Sequence, residues 1–200
     1  MPIFNRVYDW LAASDAPQVA DVIFVLAGRE CRKHFALQLF DEGWADTVLL
    51  SVGRFEIRRF SEFKLPLPTD LLTLAAGVAP ECRHYFVSLR KGAAQAQQVR
   101  LQRFGTWSEM VAFSRWLHER EFVRSAIIVS SGFHLRRVRW CCRALIPPRT
   151  EVRFVAVPAE NPNFNRDHWW QNALPRKLVL LELVKVLLYP LLLLPDDSKP

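Results

Sequence analysis

Apolar runs recur along the chain without the polar alternation of a half-exposed strand. They read DVIFVLA, TVLLS, HYFVSL, SAIIVSS and VRFVAV, at residues 21–27, 47–51, 84–89, 125–131 and 152–157. Continuous runs of this kind indicate strands that are buried on both faces, as in a parallel sheet. We therefore predict five strands in one mainly parallel sheet.

The segments between these runs carry apolar residues at helical spacing. They are residues 30–44, 69–77, 106–121 and 134–146. Strands that alternate with helices predict an α/β fold with a doubly wound sheet and helices on both of its faces. We expect a single domain with a core of about residues 20–190, in which residues 90–104 form an unusually long connection.

The composition is that of a globular protein with an excess of positive charge. Hydrophobic residues make up 50% of the chain, and the net charge is +7 with a pI of about 9.6. A basic balance favours anionic partners, namely nucleic acid, phosphorylated metabolites or acidic lipid. Because there is no aromatic RNA-binding pattern and no zinc finger, we expect an anionic small molecule and no nucleic acid.

The four cysteines do not have the spacing of a zinc site or of a disulfide framework. Cys141 and Cys142 are adjacent, and we expect both to be small buried residues of a helix. This cysteine pattern indicates a reducing compartment, and we predict a cytoplasmic protein.

The most membrane-like stretch is residues 177–195, near the end of the chain. Glu182, Lys185 and Pro190 interrupt it, and the charge-free remainder is too short to span a bilayer. We interpret it as a buried terminal helix. The alternative is a helix that lies on a membrane surface and gives the protein a peripheral membrane contact.

Polar groups follow three of the predicted strands where each strand ends. Gly28 and Arg32 follow the first strand, and the next strand leads into Ser51 and Gly53. The segment SSGFHLRR, residues 130–137, follows the fourth strand. The carboxyl ends of parallel strands meet at one edge of a sheet, where hydroxyls, arginines and free amides suit an anion.

From this convergence we predict the site residues. His134 is the expected general acid or base, and Glu109 is expected to orient it or to act as a second base. The predicted ligand-binding residues are Gly28, Arg32, Ser51, Gly53, Thr106, Ser130, Ser131 and Arg137.

Each of these residues also has a purely structural interpretation. Ser131 suits the N-cap of the helix that follows it. Thr106 and Glu109 have the spacing of a capping box, a hydroxyl followed three residues later by a glutamate. His134 suits a packing role, and the two glycines suit turns.

Motifs of several large enzyme classes are missing. The chain lacks the P-loop, the dinucleotide-binding G-x-G-x-x-G, the zinc-peptidase H-E-x-x-H and the hydrolase G-x-S-x-G patterns. No metal site is predicted, and the sequence identifies no cofactor and no oligomeric state.

Taken in order, the motifs resemble those of the YdcF-like family, a bacterial domain of unknown function that includes the SanA and ElyC proteins. The matching residues are Gly28, Arg32 and Ala36, then Ser51 and Gly53, then Thr106 and Glu109, then Ser130, Ser131, His134 and Arg137, and finally Glu182, Lys185 and Tyr189 with Trp169 or Trp170. The chain departs from the family at Phe133, where a tyrosine is usual. The resemblance implies a Rossmann-like α/β fold, a cleft lined by these residues and a link to cell-envelope biogenesis.

Four functions remain open at this point. The first is an enzyme that acts on a phosphorylated metabolite, and the second is a module that binds a nucleotide-like or adenosyl ligand without chemistry. A hydrolase with Ser131 as its nucleophile is the third, and an interaction protein at a membrane surface is the fourth.

Overall fold

The computed structural model describes residues 2–90, 92–101, 105–158 and 166–192. The strands are β1 (Val22–Val25), β2 (Thr47–Gly53), β3 (His84–Arg90), β4 (Ala93–Gln98), β5 (Ser125–Ser130) and β6 (Glu151–Ala156). The helices are α1 (Pro2–Leu11), α2 (Glu30–Asp41), α3 (Ile57–Phe60), α4 (Leu71–Ala76), α5 (Gly105–His118), α6 (Leu135–Leu145) and α7 (Ala173–Leu192). Short 3₁₀ helices lie at Ser61–Phe63, Pro80–Cys82 and Gly132–His134.

The six strands form one mixed sheet in the order β4-β3-β2-β1-β5-β6. Strands β2, β1, β5 and β6 are parallel, whereas β3 runs antiparallel to β2, and β4 runs antiparallel to β3. The α/β prediction is confirmed, but the prediction of five strands is wrong. The missed strand, β4, lies within residues 90–104, which we expected to be a connection.

β4 escaped prediction because it is an edge strand of alanine and glutamine, without an apolar run. Only residues 91 and 92 separate it from β3, and Gly92 has a φ of +76°, which suits the tight turn of a hairpin. Strands joined by such a short turn pair directly with each other. The chain therefore turns back after β3, and β4 runs antiparallel to β3, instead of the chain entering a crossover helix.

Helices pack on both faces of the sheet because neighbouring side chains of each strand point to opposite faces. In β1, Ile23 and Val25 belong to one core, together with α2. Val22 and Phe24 belong to the other core, together with α5 and α6. As predicted, Cys141 and Cys142 are buried on α6, and all four cysteines are free.

The first and last helices form a third, smaller core, which contains Leu11, Phe133, Trp169, Val179 and Val186. Helix α1 was not predicted from the sequence. One side of α7 is buried, as expected for a terminal helix, but the opposite side is exposed. Within the described ranges, no helix combines the length and the apolar character needed to cross a bilayer.

The chain order places a topological switch between β1 and β5. From β1 the chain proceeds to β2 on one side, and it later returns to β5 on the other side of β1. Crevices at such switch points, beyond the carboxyl ends of the strands, are the usual ligand sites of open α/β sheets.

Candidate functional site

The guanidinium of Arg32, on α2, joins the ends of β1 and β5 across the switch point. Its Nη1 donates to the carbonyl of Ala27 at 2.8 Å, while Nε and Nη2 donate to Oγ of Ser131 at 3.2 and 3.1 Å. Gly28 has a φ of +134°, and a Cβ at this position would lie 2.9 Å from Nη1. Glycine is therefore required here both by the backbone conformation and by the close approach of the arginine.

Glu109 reaches from α5 to the ends of β1 and β2. One carboxylate oxygen accepts the amide proton of Ala27 at 2.8 Å and the hydroxyl proton of Ser51 at 2.6 Å. Burial raises the pKa of Glu109, although both of these hydrogen bonds act in the opposite direction. The carboxylate thus serves as an acceptor that holds two strand ends together.

His84 lies against the same serine, with its Nε2 at 2.7 Å from Oγ of Ser51. Because the hydroxyl proton of Ser51 goes to Glu109, Nε2 must be the donor in this contact. Burial, with the charge of Lys33 adding to it, lowers the pKa of His84 to about 4. The ring is therefore neutral at pH 7, which agrees with the direction of the hydrogen bond.

His134 is enclosed between two hydroxyls. Its Nδ1 is 2.8 Å from Oγ of Ser130, and its Nε2 is 3.2 Å from Oγ1 of Thr106. Since Thr106 accepts from Arg137, its own proton is directed to Nε2, and Nδ1 is the donor to Ser130. Burial and then the charges of Arg137 and Arg32 lower the pKa of His134 well below 6.5.

Arg137 uses its donors inside the protein. Nε and Nη2 bind the two carboxylate oxygens of Glu182 on α7, at 2.8 and 2.7 Å. Nη1 donates to Thr106 at 2.6 Å and to the hydroxyl of Tyr189 at 3.2 Å. The arginine that we expected to hold a ligand anion thus holds a carboxylate of the chain itself.

The backbone amide of Gly53 likewise binds a carboxylate of the protein itself. Its amide donates to Oε2 of Glu56 at 2.8 Å, and the ammonium of Lys33 donates to Oε1 of the same residue. Lys33 is 1% exposed, whereas the side chain of Glu56 keeps 16% of its surface exposed. An anion therefore meets this amide and this ammonium only where Glu56 moves aside.

A cavity of about 510 Å³ opens at this edge of the sheet. Its cations are Arg29, Arg32, Lys33 and Arg59, and its carboxylates are Glu30 and Glu56. The remaining wall is mainly aromatic and consists of Gly28, Phe55, Phe60, Phe63, Phe133 and Leu178. The cavity thus combines an excess of positive charge with flat apolar surfaces.

Of the ten predicted site residues, Gly28 and Arg32 line this cavity. The others do not belong to its lining: Ser51, Gly53, Thr106, Glu109, Ser130, Ser131, His134 and Arg137. Of Arg32, Glu109, His134 and Arg137, which we expected to face one hollow, only Arg32 lines this cavity. They lie close together, but internal hydrogen bonds hold the last three inside the protein.

Two of the structural alternatives are also corrected. The capping-box interpretation of Thr106 and Glu109 is wrong, because these side chains bind His134 and Arg137 in one case and Ala27 and Ser51 in the other. Ser131 lies at the N-cap position of the 3₁₀ helix, but its side chain makes no capping bond and accepts from Arg32 instead.

Several residues of the site were missed at the sequence level. His84 begins β3, and an antiparallel strand brings its first residue, rather than its last, to the carboxyl edge of its neighbours. Lys33, Glu56 and Arg59 follow the first two strands at a greater distance than the residues we considered. Following each chain segment further beyond its strand would have found these three.

The described part of the chain offers two further observations on sites. A second cavity, of about 420 Å³, lies between the end of β4 and α5, and none of the predicted site residues lines it. No cluster of three or more histidines, cysteines or carboxylates suited to a metal ion occurs among the described residues.

No protein-family model, no curated protein and no solved structure matches this chain. The resemblance to the YdcF-like family therefore remains a prediction that rests on the sequence motifs.

Proposed function

We propose that this protein binds a phosphorylated, nucleotide-like metabolite in the cavity beyond β1, β2 and β5. The observation that carries the proposal is the lining of that cavity, in which four cations face two carboxylates beside four phenylalanines. An arginine guanidinium can bind two phosphate oxygens at once, and aromatic rings provide surfaces on which a nucleobase stacks.

The position of the cavity supports the same proposal. It lies at the topological switch of the parallel strands, and Gly28 and Arg29 precede the N-terminus of the twelve-residue helix α2. The first turn of such a helix presents free amides and a positive dipole end to an anion. On this basis we propose that the parallel strands β2, β1, β5 and β6 form a Rossmann-like unit.

Within this proposal, binding without chemistry is favoured over catalysis. Both ring nitrogens of His134 and one oxygen of Glu109 are engaged inside the protein, away from the cavity lining. A catalytic acid or base must reach the substrate directly or through one water molecule. The alternative is an enzyme in which His134 gains access to the ligand by a rearrangement.

Ser131 is a weak candidate for a hydrolase nucleophile. Its oxygen accepts two hydrogen bonds from Arg32, and a serine nucleophile requires a neighbouring base that removes its proton. Membership of the YdcF-like family, a role in envelope biogenesis and a cytoplasmic location complete the proposal. The four free cysteines support the reducing location.

Calorimetric titration with adenosine diphosphate, inorganic phosphate and uncharged adenosine tests the binding proposal. We expect the diphosphate to bind more tightly than either of the other two, with an affinity that falls as salt is added. Arg59→Gln should weaken binding about tenfold, as the loss of a charge-assisted hydrogen bond predicts. Arg58→Gln is the matched control, because Arg58 is its exposed neighbour on α3 and does not line the cavity.

The proposal fails where the diphosphate binds no better than adenosine, or where both arginine variants weaken it equally. Release of phosphate from the diphosphate distinguishes the enzyme alternative. Turnover in the wild type that His134→Gln abolishes would favour catalysis over simple binding.

A further inference from the structure

Helix α7 is apolar on two opposite sides. One side packs into the protein through Val179, Glu182, Val186 and Tyr189. The other side, the outer face, consists of Leu180, Leu181, Val184, Leu187 and Leu188, each between 44% and 62% exposed. A helix at a water-exposed surface normally carries polar residues on its outward side. The outer face therefore has the composition of a surface that something covers.

Helix α6 has a different outward side. The outward side of α6, which also packs on the sheet, is dominated by arginine, at positions 136, 139 and 143, with one exposed tryptophan at position 140. The five exposed aliphatic residues on one face of α7 thus contrast with the arginines of α6.

The exposed charged side chains of α7 are the cations Arg176, Lys177 and Lys185. Glu182 is the single acidic residue of α7, and it points inward to its pair with Arg137. Arg176 and Lys177 are exposed in the first turns of the helix, and with Leu180, Leu181 and Val184 they line a shallow surface depression. Leucines flanked by cations, without acids, characterise helices that lie in the headgroup layer of anionic membranes.

A second copy of the chain fits this face less well. Pairing two outer faces would bring the cations of both copies to one surface, and α7 supplies no outward carboxylate to neutralise them. Lipid phosphates provide that neutralisation, and acyl chains cover the leucines. We propose that the outer face of α7 binds the surface of an anionic phospholipid membrane, with the helix lying along it. This inference is independent of the ligand in the cavity.

Sedimentation of the full chain with vesicles tests the inference, using phosphatidylcholine alone or mixed with phosphatidylglycerol. We expect binding to the mixed vesicles, weakened by salt, and little binding to phosphatidylcholine alone. Val184→Glu should reduce the partition coefficient more than tenfold, since a charge is placed at the centre of the apolar face. Val19→Glu is the matched control, because Val19 is 75% exposed and lies far along the chain, before β1.

Further variants test the contribution of the cations of α7 to membrane binding. Lys177→Gln should lower the partition coefficient about fivefold, the effect of one cation near an anionic surface, whereas Lys177→Arg should retain it. Circular dichroism and thermal melting of each variant establish that the fold is intact. The inference is overturned where mixed vesicles fail to sediment the wild type, or where Val184→Glu and Val19→Glu bind alike. It is also overturned where Val184→Glu instead abolishes a dimer seen by light scattering.

Discussion

Arg137 and Glu182 form a buried two-point ion pair between α6 and α7. Two nitrogens of the guanidinium bind two oxygens of the carboxylate at 2.8 and 2.7 Å, and both side chains are less than 10% exposed. The pair attaches the terminal helix to the domain, so the sequence feature that looked like an interruption of an apolar run is a tertiary contact.

Glu182→Gln should destabilise the protein strongly, because it leaves the charge of Arg137 buried without its counter-ion. The expected loss in the free energy of unfolding is about 3 kcal/mol, measured by urea denaturation. The double variant Arg137→Met with Glu182→Leu should recover most of that loss, since apolar residues replace both charges. A single variant as stable as the wild type would contradict this account.

The stability of the protein should depend on pH through His84. Its pKa is lowered from 6.5 to about 4 in the folded protein, so between these values only the unfolded chain takes up the proton. The free energy of unfolding is therefore highest above pH 6.5 and falls as the pH decreases towards 4. The contribution of His84 over that interval is about 3 kcal/mol.

His84→Gln tests this dependence, because the glutamine amide can still donate to Ser51 and does not titrate. Denaturation at several pH values should show a shallower acid loss than in the wild type. A buried His134 acts in the same direction, and Glu109, whose pKa burial raises, acts in the opposite one. His34→Gln, at an exposed histidine, is the control and should follow the wild type. Equal slopes for His84→Gln and the wild type would contradict the prediction.

Gly28→Ala should disturb the wall of the cavity. The alanine Cβ would approach Nη1 of Arg32 to 2.9 Å, and the φ of +134° disfavours any side chain. We expect a loss of about 1–3 kcal/mol in stability and weaker binding of adenosine diphosphate. Gly77→Ala is the control, because Gly77 has a φ of −92° and no atom lies within 4 Å of its added Cβ.

Glu56→Gln should increase the affinity for adenosine diphosphate. The substitution removes a negative charge that binds Gly53 and Lys33 at the cavity wall. The expected gain is about fivefold, or ~1 kcal/mol, the interaction of two unit charges about 4 Å apart in water. Glu62→Gln, on the neighbouring 3₁₀ helix and exposed, should leave the affinity unchanged. Weaker binding by Glu56→Gln would show that the carboxylate serves the site by positioning Lys33.

Most of the secondary structure follows from the local pattern of apolar residues. The continuous apolar runs located β1, β2, β3, β5 and β6, because residues buried on both faces must be apolar throughout. The residues that follow the parallel strands, such as Gly28 and Arg32, do lie at one edge of the sheet, because parallel strands end on the same side. Strand β4 has no such pattern, since an edge strand of alanine and glutamine is set by its hairpin turn.

The partners of the polar side chains depend on how distant segments of the chain pack together. Glu182 meets Arg137 across 45 residues, and Glu109 meets Ala27 across 82. Residue types and spacing could bring these groups to one region, but they could not show which cations would be neutralised internally. Which cations are neutralised internally depends on the distances between elements far apart in the chain. The same distances decide which residues line the cavity and which hold the fold together.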